Sequence, residues 1–205
     1  RRRGSVPGVG VSSAPASPPP LLNIANVLTG VRLLLVPVFL VVLFVEDGTD
    51  TGWRLAATGV FVLAAITDRF DGELARSRGL VTAFGTIADP IADKALTGAA
   101  LVGLSVLAQV PWWVTIVIMG RELGITVLRF WVLRHGLIPA SRGGKLKTLC
   151  QAVAIGLFLL PLPETVVVGV LRWAVLGLAL ALTVGTGVDY VLRAVRLRSA
   201  ATATG

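Results

Sequence analysis

Six apolar runs, near residues 25–45, 52–69, 86–108, 111–133, 148–166 and 168–194, follow one another with only short polar stretches between them. Crossing the hydrocarbon core of a bilayer takes roughly 20 residues of helix, and each run is close to that length or above it. Backbone polar groups in lipid have no water to bond, so a run of this kind satisfies itself as a helix. With 55% hydrophobic and 15% charged residues, the chain is also more apolar than soluble domains are. The expectation is an all-α polytopic membrane protein of six transmembrane helices, one domain over residues 21–198. Residues 4–20, GSVPGVGVSSAPASPPP, carry neither aromatic nor charged side chains and cannot nucleate a core. Residues 1–20 therefore read as a disordered tail and 199–205 as a second, short one.

The net charge of +8 is distributed by side. With the N-terminus inside, the cytoplasmic stretches hold Arg1 to Arg3, Arg76, Arg78, Arg134, Arg142, Lys145, Lys147, Arg193, Arg196 and Arg198. The opposite side holds Arg54 and Arg172 at span edges, beside Glu46, Asp47, Asp50 and Glu164. That asymmetry predicts both termini in the cytoplasm of a cell-membrane protein. Such a basic rim faces anionic lipid; no aromatic residues interleave it as a nucleic-acid surface would need, so nucleic acid is not an expected partner. The single Cys150 rules out an intrachain disulfide and a cysteine-based zinc site.

Against this apolar background stand four carboxylates, Asp68, Asp71, Asp89 and Asp93, at the cytoplasmic ends of the second and third runs. A carboxylate there costs several kcal/mol on insertion scales unless compensated. Asp68 and Asp71 are three apart, with Gly72, Ala75 and Arg76 continuing their stripe, and Gly85, Asp89 and Asp93 recur every four. Each set therefore occupies one helix face. Four carboxylates on two consecutive antiparallel helices suit a pair of hard divalent ions, Mg2+ or Mn2+, which in turn suit a diphosphate substrate. Plainer readings exist for the parts: Asp89-Pro90 as a helix cap and first-turn proline, Asp68 with Arg69 or Asp93 with Lys94 as interfacial ion pairs. A cation transporter is a second reading for the whole, since intramembrane acids also bind transported ions.

The segment from Asp68 to Asp93, DRFDGELARSRGLVTAFGTIADPIAD, resembles the signature of the CDP-alcohol phosphatidyltransferases, Asp-x2-Asp-Gly-x2-Ala-Arg-x8-Gly-x3-Asp-x3-Asp, with every fixed position filled. The resemblance implies a six-helix membrane enzyme of the CDP-alcohol phosphotransferase fold, a homodimer, that uses two divalent ions to move a phosphatidyl group from a CDP-linked lipid to an alcohol. Carried over residue by residue, it makes Asp68, Asp71 and Asp89 metal ligands and Asp93 both ligand and general base. Gly72, Arg76 and Gly85 would line the CDP pocket. Isoprenoid transferases also pair aspartates with magnesium, but at a different spacing, and they would leave the Gly and Arg positions unexplained.

The acceptor must be read elsewhere. Asn26, Thr29 and Arg32 share a face of the first run, with Asn26 and Thr29 assigned to the CDP-lipid. Arg32 would meet either the carboxylates or a phosphate, or else snorkel to the rim. The fourth run carries Arg121 beside Glu122, which could neutralise one another. A basic loop, IPASRGGKLKTLCQ over 138–151, holds Ser141, Lys145 and Lys147. Such a loop beside a membrane is usually a rim for anionic lipid; combined with Arg121, which the resemblance makes a phosphate binder, it would also make a pocket for a small phosphate-bearing acceptor, because charge-assisted phosphate contacts need converging donors. Within the family, the combination of NxANxLTxxR, the Arg-Glu pair, IPASxGGKxKTxxQ and TGVDY at 186–190 resembles actinobacterial members. It implies CDP-diacylglycerol as donor and glycerol-3-phosphate as acceptor, with inositol phosphate or phosphatidylglycerol as the neighbouring possibilities.

Overall fold

Each apolar run becomes a helix. A computed structural model describes the backbone of residues 24–77, 83–132 and 142–203, with side chains for 27–67, 91–92, 94–128, 144, 146–192 and 195. Within those bounds lie α1 (Ile24–Phe44), α2 (Thr51–Ser77), α3 (Ala83–Val106), α4 (Trp112–Val132), α5 (Arg142–Leu159) and α6 (Val166–Ala203). A single 3-10 turn, Val45–Gly48, follows α1. The tail read over 1–20 lies outside the described residues, whereas α6 carries helix through most of 199–205. Two stretches, Val27–Gly48 and Val166–Leu192, are long and apolar enough to cross a membrane by length and composition, and 51–67, 94–106 and 146–159 are shorter apolar helices.

Local chemistry sets the helix ends. Asp50 accepts a hydrogen bond from the Trp53 amide at 2.9 Å and so caps α2; Thr165 does the same for α6 through Val168 at 3.3 Å. Gly48 turns the chain between α1 and α2 at φ +67°, where an added Cβ would stand 2.7 Å from Leu107 and 3.0 Å from the Leu43 carbonyl. Only glycine takes that conformation without steric cost. Pro37 sits inside α1, where it removes one backbone donor.

Two sequence expectations change here. Helix α5 begins at Arg142, so Lys145, Lys147 and Thr148, read as loop, are helical. Helix α3 begins at Ala83, about two turns before Asp89-Pro90, which therefore form neither its cap nor its first turn.

The core is a set of i, i+4 ladders facing inward: Phe39 and Leu43 of α1, Ala57, Phe61 and Ala64 of α2, Leu96, Ala100 and Leu104 of α3, with Ile118, Ile155 and Leu176 from the later helices. The Phe39 and Phe61 rings meet at 6.1 Å. Small residues let helices close up: a Cβ on Gly103 would lie 2.6 Å from Leu43, and one on Gly98 would lie 2.7 Å from Met119. Ser105 and Thr115 pair their hydroxyls at 2.7 Å between α3 and α4. This is the packing of helices that gain nothing from hydrophobic contrast with their solvent. Outward faces are greasy, with Leu34, Val41, Leu63, Ile116, Val167 and Leu178 all exposed.

Contacts at the two ends fix the direction of every helix. At one end Arg54, from the start of α2, donates to the Leu159 and Phe158 carbonyls at the end of α5, to the Gly48 carbonyl after α1, and to Gln109 after α3. Arg172, from the start of α6, donates to the Leu157 and Leu160 carbonyls and to Glu164, with its guanidinium over the Phe158 ring. The last carbonyls of α5, which a helix leaves without intrahelical partners, are thus taken by two arginines. Both stand near helix starts, as expected of span edges, and Arg54 is buried there, at 5% exposure. Helices run alternately up and down, so the starts of α1, α3 and α5 and the ends of α2 and α4 lie at the opposite end, alongside the second half of α6.

Candidate active site

That opposite end gathers the residues singled out by the sequence. Asp68, Asp71, Gly72 and Arg76 lie on the last three turns of α2, and Gly85, Asp89 and Asp93 on the first three of α3. Their helical assignment keeps the i, i+3 and i, i+4 registers that place each set on one face. The side chains of these residues, and of Asn26 and Lys145, lie outside the described residues, as does Ser141 altogether. The donor set is all oxygen, four carboxylates on two adjacent helices, and fits hard divalent ions.

From α1, Thr29 and Arg32 point inward. Each is 1% exposed, so Arg32 does not snorkel. A buried guanidinium on the third turn of α1 belongs to the interior of this end of the bundle, not to its rim.

The best-described part is a polar knot at Glu122 on α4. Lys147 of α5 bonds to its Oε1, Arg121 Nη1 reaches the same oxygen at 3.1 Å, and Lys94 Nζ of α3 lies 3.4 Å from Oε2. Arg121 Nη2 also donates to Thr186 of α6 at 2.8 Å. Below the knot Gln151 donates to Thr183 at 2.9 Å, tying α5 to α6. Lys147 and Glu122 are both buried, at 5% and 8% exposure. Three helices thus converge on one carboxylate, with α6 tied in through Arg121, and the three cations leave two positive charges over among the described side chains. Arg121 Nε is buried without a hydrogen-bond partner there. The stem of Arg121 packs against Gly187, whose added Cβ would stand 3.1 Å away, and forms one end of an open, largely apolar groove between α4 and α6.

Two of the residues assigned to an acceptor phosphate, Arg121 and Lys147, are therefore brought together. The adjacent pair Arg121-Glu122 does bond, as the plainer reading had it, yet Glu122 serves three cations and cannot neutralise them all. Lys94 was taken only as a possible partner of Asp93. Its signal was present: neither Lys94, Glu122 nor Lys147 has an opposite charge three or four residues away on its own helix, the nearest positions on its face. Buried charges of this kind must find one another across helices.

The chain is similar to known proteins over most of its length. The CDP-alcohol phosphatidyltransferase family matches residues 22–185. A probable phosphatidylglycerophosphate synthase of Mycobacterium tuberculosis is 57% identical over 176 residues, covering 86% of this chain and 83% of that protein. A CDP-diacylglycerol–glycerol-3-phosphate 3-phosphatidyltransferase of Bacillus subtilis is 36% identical, covering 68% and 78%. A CMP-forming cardiolipin synthase of rice is also 36% identical, covering 78% of this chain and 53% of its own.

Proposed function

Because the chain belongs to the CDP-alcohol phosphatidyltransferase family, we propose that it transfers the phosphatidyl group of CDP-diacylglycerol to glycerol-3-phosphate and releases CMP, making phosphatidylglycerophosphate. The observation that carries the acceptor assignment is the knot of Lys94, Arg121 and Lys147 around Glu122, beside the helix that bears Asp89 and Asp93. Its positive surplus suits a phosphorylated acceptor. The relative sharing 57% of its residues bears the corresponding name. Membership of a transferase family removes the reason to read the aspartates as a transport pathway.

In this reading the acceptor's phosphate is held by Arg121 and Lys147, with Lys145, Ser141 and Arg32 around them, and its primary hydroxyl is turned toward Asp93. Asp93 accepts the hydroxyl proton as the oxygen attacks the lipid-bearing phosphorus. The bond from that phosphorus to the bridging oxygen breaks, and CMP departs with the electron pair. Asp68, Asp71, Asp89 and Asp93 would hold two Mg2+ or Mn2+ ions, and the chemistry such ions supply is neutralisation of diphosphate oxygens. Asn26, Thr29, Gly72, Arg76 and Gly85 would receive the CDP-lipid, Arg76 by guanidinium donation to phosphate or base.

The same reading makes all six helices membrane spans, puts the site on the cytoplasmic side and has the enzyme act as a homodimer. Exposed Trp53, Trp112, Trp113 and Trp173 support the first point. All four cluster at the Arg54 end, as aromatic side chains do at a bilayer interface.

One assay tests the function. Purified protein in detergent with CDP-diacylglycerol and Mg2+ is expected to release CMP with glycerol-3-phosphate and to stop when the metal is chelated. Faster release with inositol phosphate or with phosphatidylglycerol would move the assignment to phosphatidylinositol phosphate or cardiolipin synthesis.

A further inference from the structure

We propose that Lys94 is a further ligand of the acceptor's phosphate, and that Glu122 is an internal stand-in for that phosphate, displaced when it binds, so that the site admits phosphate monoesters and rejects diesters. The proposal rests on the reading above that the acceptor bears a phosphate, and it assigns to that site two residues and a selectivity rule.

Geometry comes first. Glu122 is the carboxylate on which Lys94, Arg121 and Lys147 close, from α3, α4 and α5. These are the contacts a bound phosphate would make: an oxyanion at the centre, ammonium groups from two helices and a guanidinium from a third. The cavity beside it, lined by Lys94, Thr97, Met119, Glu122, Lys147 and Gln151, has a volume of about 20 Å³. That is room for a water and not for a phosphate. On the Lys94 and Lys147 side of the knot, then, an incoming phosphate finds no room beside the carboxylate and takes the place of Glu122.

Charge then decides which ligands can make the exchange. Buried cations stripped of their carboxylate must be compensated at once, because an unpaired buried charge costs several kcal/mol. A phosphate diester carries one negative charge and only replaces what it displaces. A monoester carries about −1.5 to −2 near neutral pH and improves on Glu122. Neutral alcohols have nothing to offer in exchange. Lys94 gives the rule its place in the reaction: it directly follows Asp93 in α3, so the helix that supplies the proposed base also supplies a phosphate ligand. The free hydroxyl of a short phosphorylated alcohol is thereby referenced to the same helix as its phosphate.

The test uses the full chain in detergent with Mg2+, and methyl phosphate and dimethyl phosphate as probes, by calorimetry and as inhibitors of CMP release. Methyl phosphate should bind and compete with the acceptor, with dimethyl phosphate about tenfold or more weaker. Lys94→Gln should weaken methyl phosphate and raise the acceptor KM by about tenfold while the KM for CDP-diacylglycerol stays within about twofold, and Lys94→Arg should restore most of the loss. Glu122→Gln, with its competing charge removed, should bind methyl phosphate more tightly than the parent and narrow the gap between the two probes. Unchanged methyl phosphate affinity in Lys94→Gln, or weaker binding in a folded Glu122→Gln, overturns the proposal. If Glu122→Gln does not fold, the parent protein decides alone, since equal affinity for the two probes also overturns it. Selective methyl phosphate binding without CMP release from glycerol-3-phosphate would instead refute the acceptor named above and leave the phosphate site standing.

Discussion

Asp93 and Lys94 are chain neighbours of opposite charge, and an α-helix turns them about 100° apart. Lys94 faces Glu122 of α4, which leaves Asp93 on the stripe it shares with Asp89 and Gly85. Replacement of Asp93 by Asn keeps the shape and removes the basicity, so CMP release is expected to fall by about 100-fold or more with the thermal midpoint little changed; near-normal turnover in a steady-state assay would remove Asp93 from the base's role. The carboxylates were legible in the sequence because each pair repeats at helical spacing in segments where acids are costly. Glu122 as a hub was legible only as one of several charges without a partner on the next turn of their own helices: two of its three partners lie 28 and 25 residues away on other helices, and no periodicity names which they are. Thr29 and Arg32 fall between: their shared face was visible, and their burial settled which way it points.

Whole helices were the most legible features, because an apolar run in lipid has only one way to satisfy its backbone. The expected runs and the observed helices agree closely except where polar residues continue a helix past its greasy part, and at the end of α5, which stops at Leu159 and not at 166, ahead of Pro161 and Pro163. Helix α2 extends from the expected 69 to Ser77 and α5 starts at Arg142 instead of 148. At α5 the sequence misleads for a physical reason. Gly143 and Gly144 each disfavour helix by about 1 kcal/mol relative to alanine, and the basic residues around them look like loop, yet the turn they form carries Lys147 into the knot. Between helices, close approach depends on Gly103, where α3 meets Leu40 and Leu43 of α1. Gly103→Leu is expected to cost about 1–3 kcal/mol through overpacking and to lower the thermal midpoint in detergent. Gly103→Ala should be milder, because the Leu43 methyl it meets ends a side chain that can rotate.

At the scale of the molecule the two ends differ in kind. One gathers Arg54, Arg172 and the exposed tryptophans; the other gathers the regularly spaced aspartates of α2 and α3 and the Glu122 knot. If the second end faces the cytoplasm, Glu164→Cys in a Cys150→Ser background should be labelled by a membrane-impermeant maleimide added to intact cells, whereas Arg196→Cys should be labelled only after permeabilisation. The reverse pattern would invert the protein. Among the elements that join the two ends is α5. Helix α5 is gripped by arginines at its last carbonyls and reaches, about 18 Å away at 1.5 Å per residue, to Lys147. It is a strut braced at its far joint, and its working tip is only as steady as that joint. Arg54→Met, which strands several buried acceptors at about 1–3 kcal/mol each, should therefore lower the melting point and raise the KM for glycerol-3-phosphate more than that for CDP-diacylglycerol. Acceptor affinity would then be set in part at the face of the protein that the acceptor never visits.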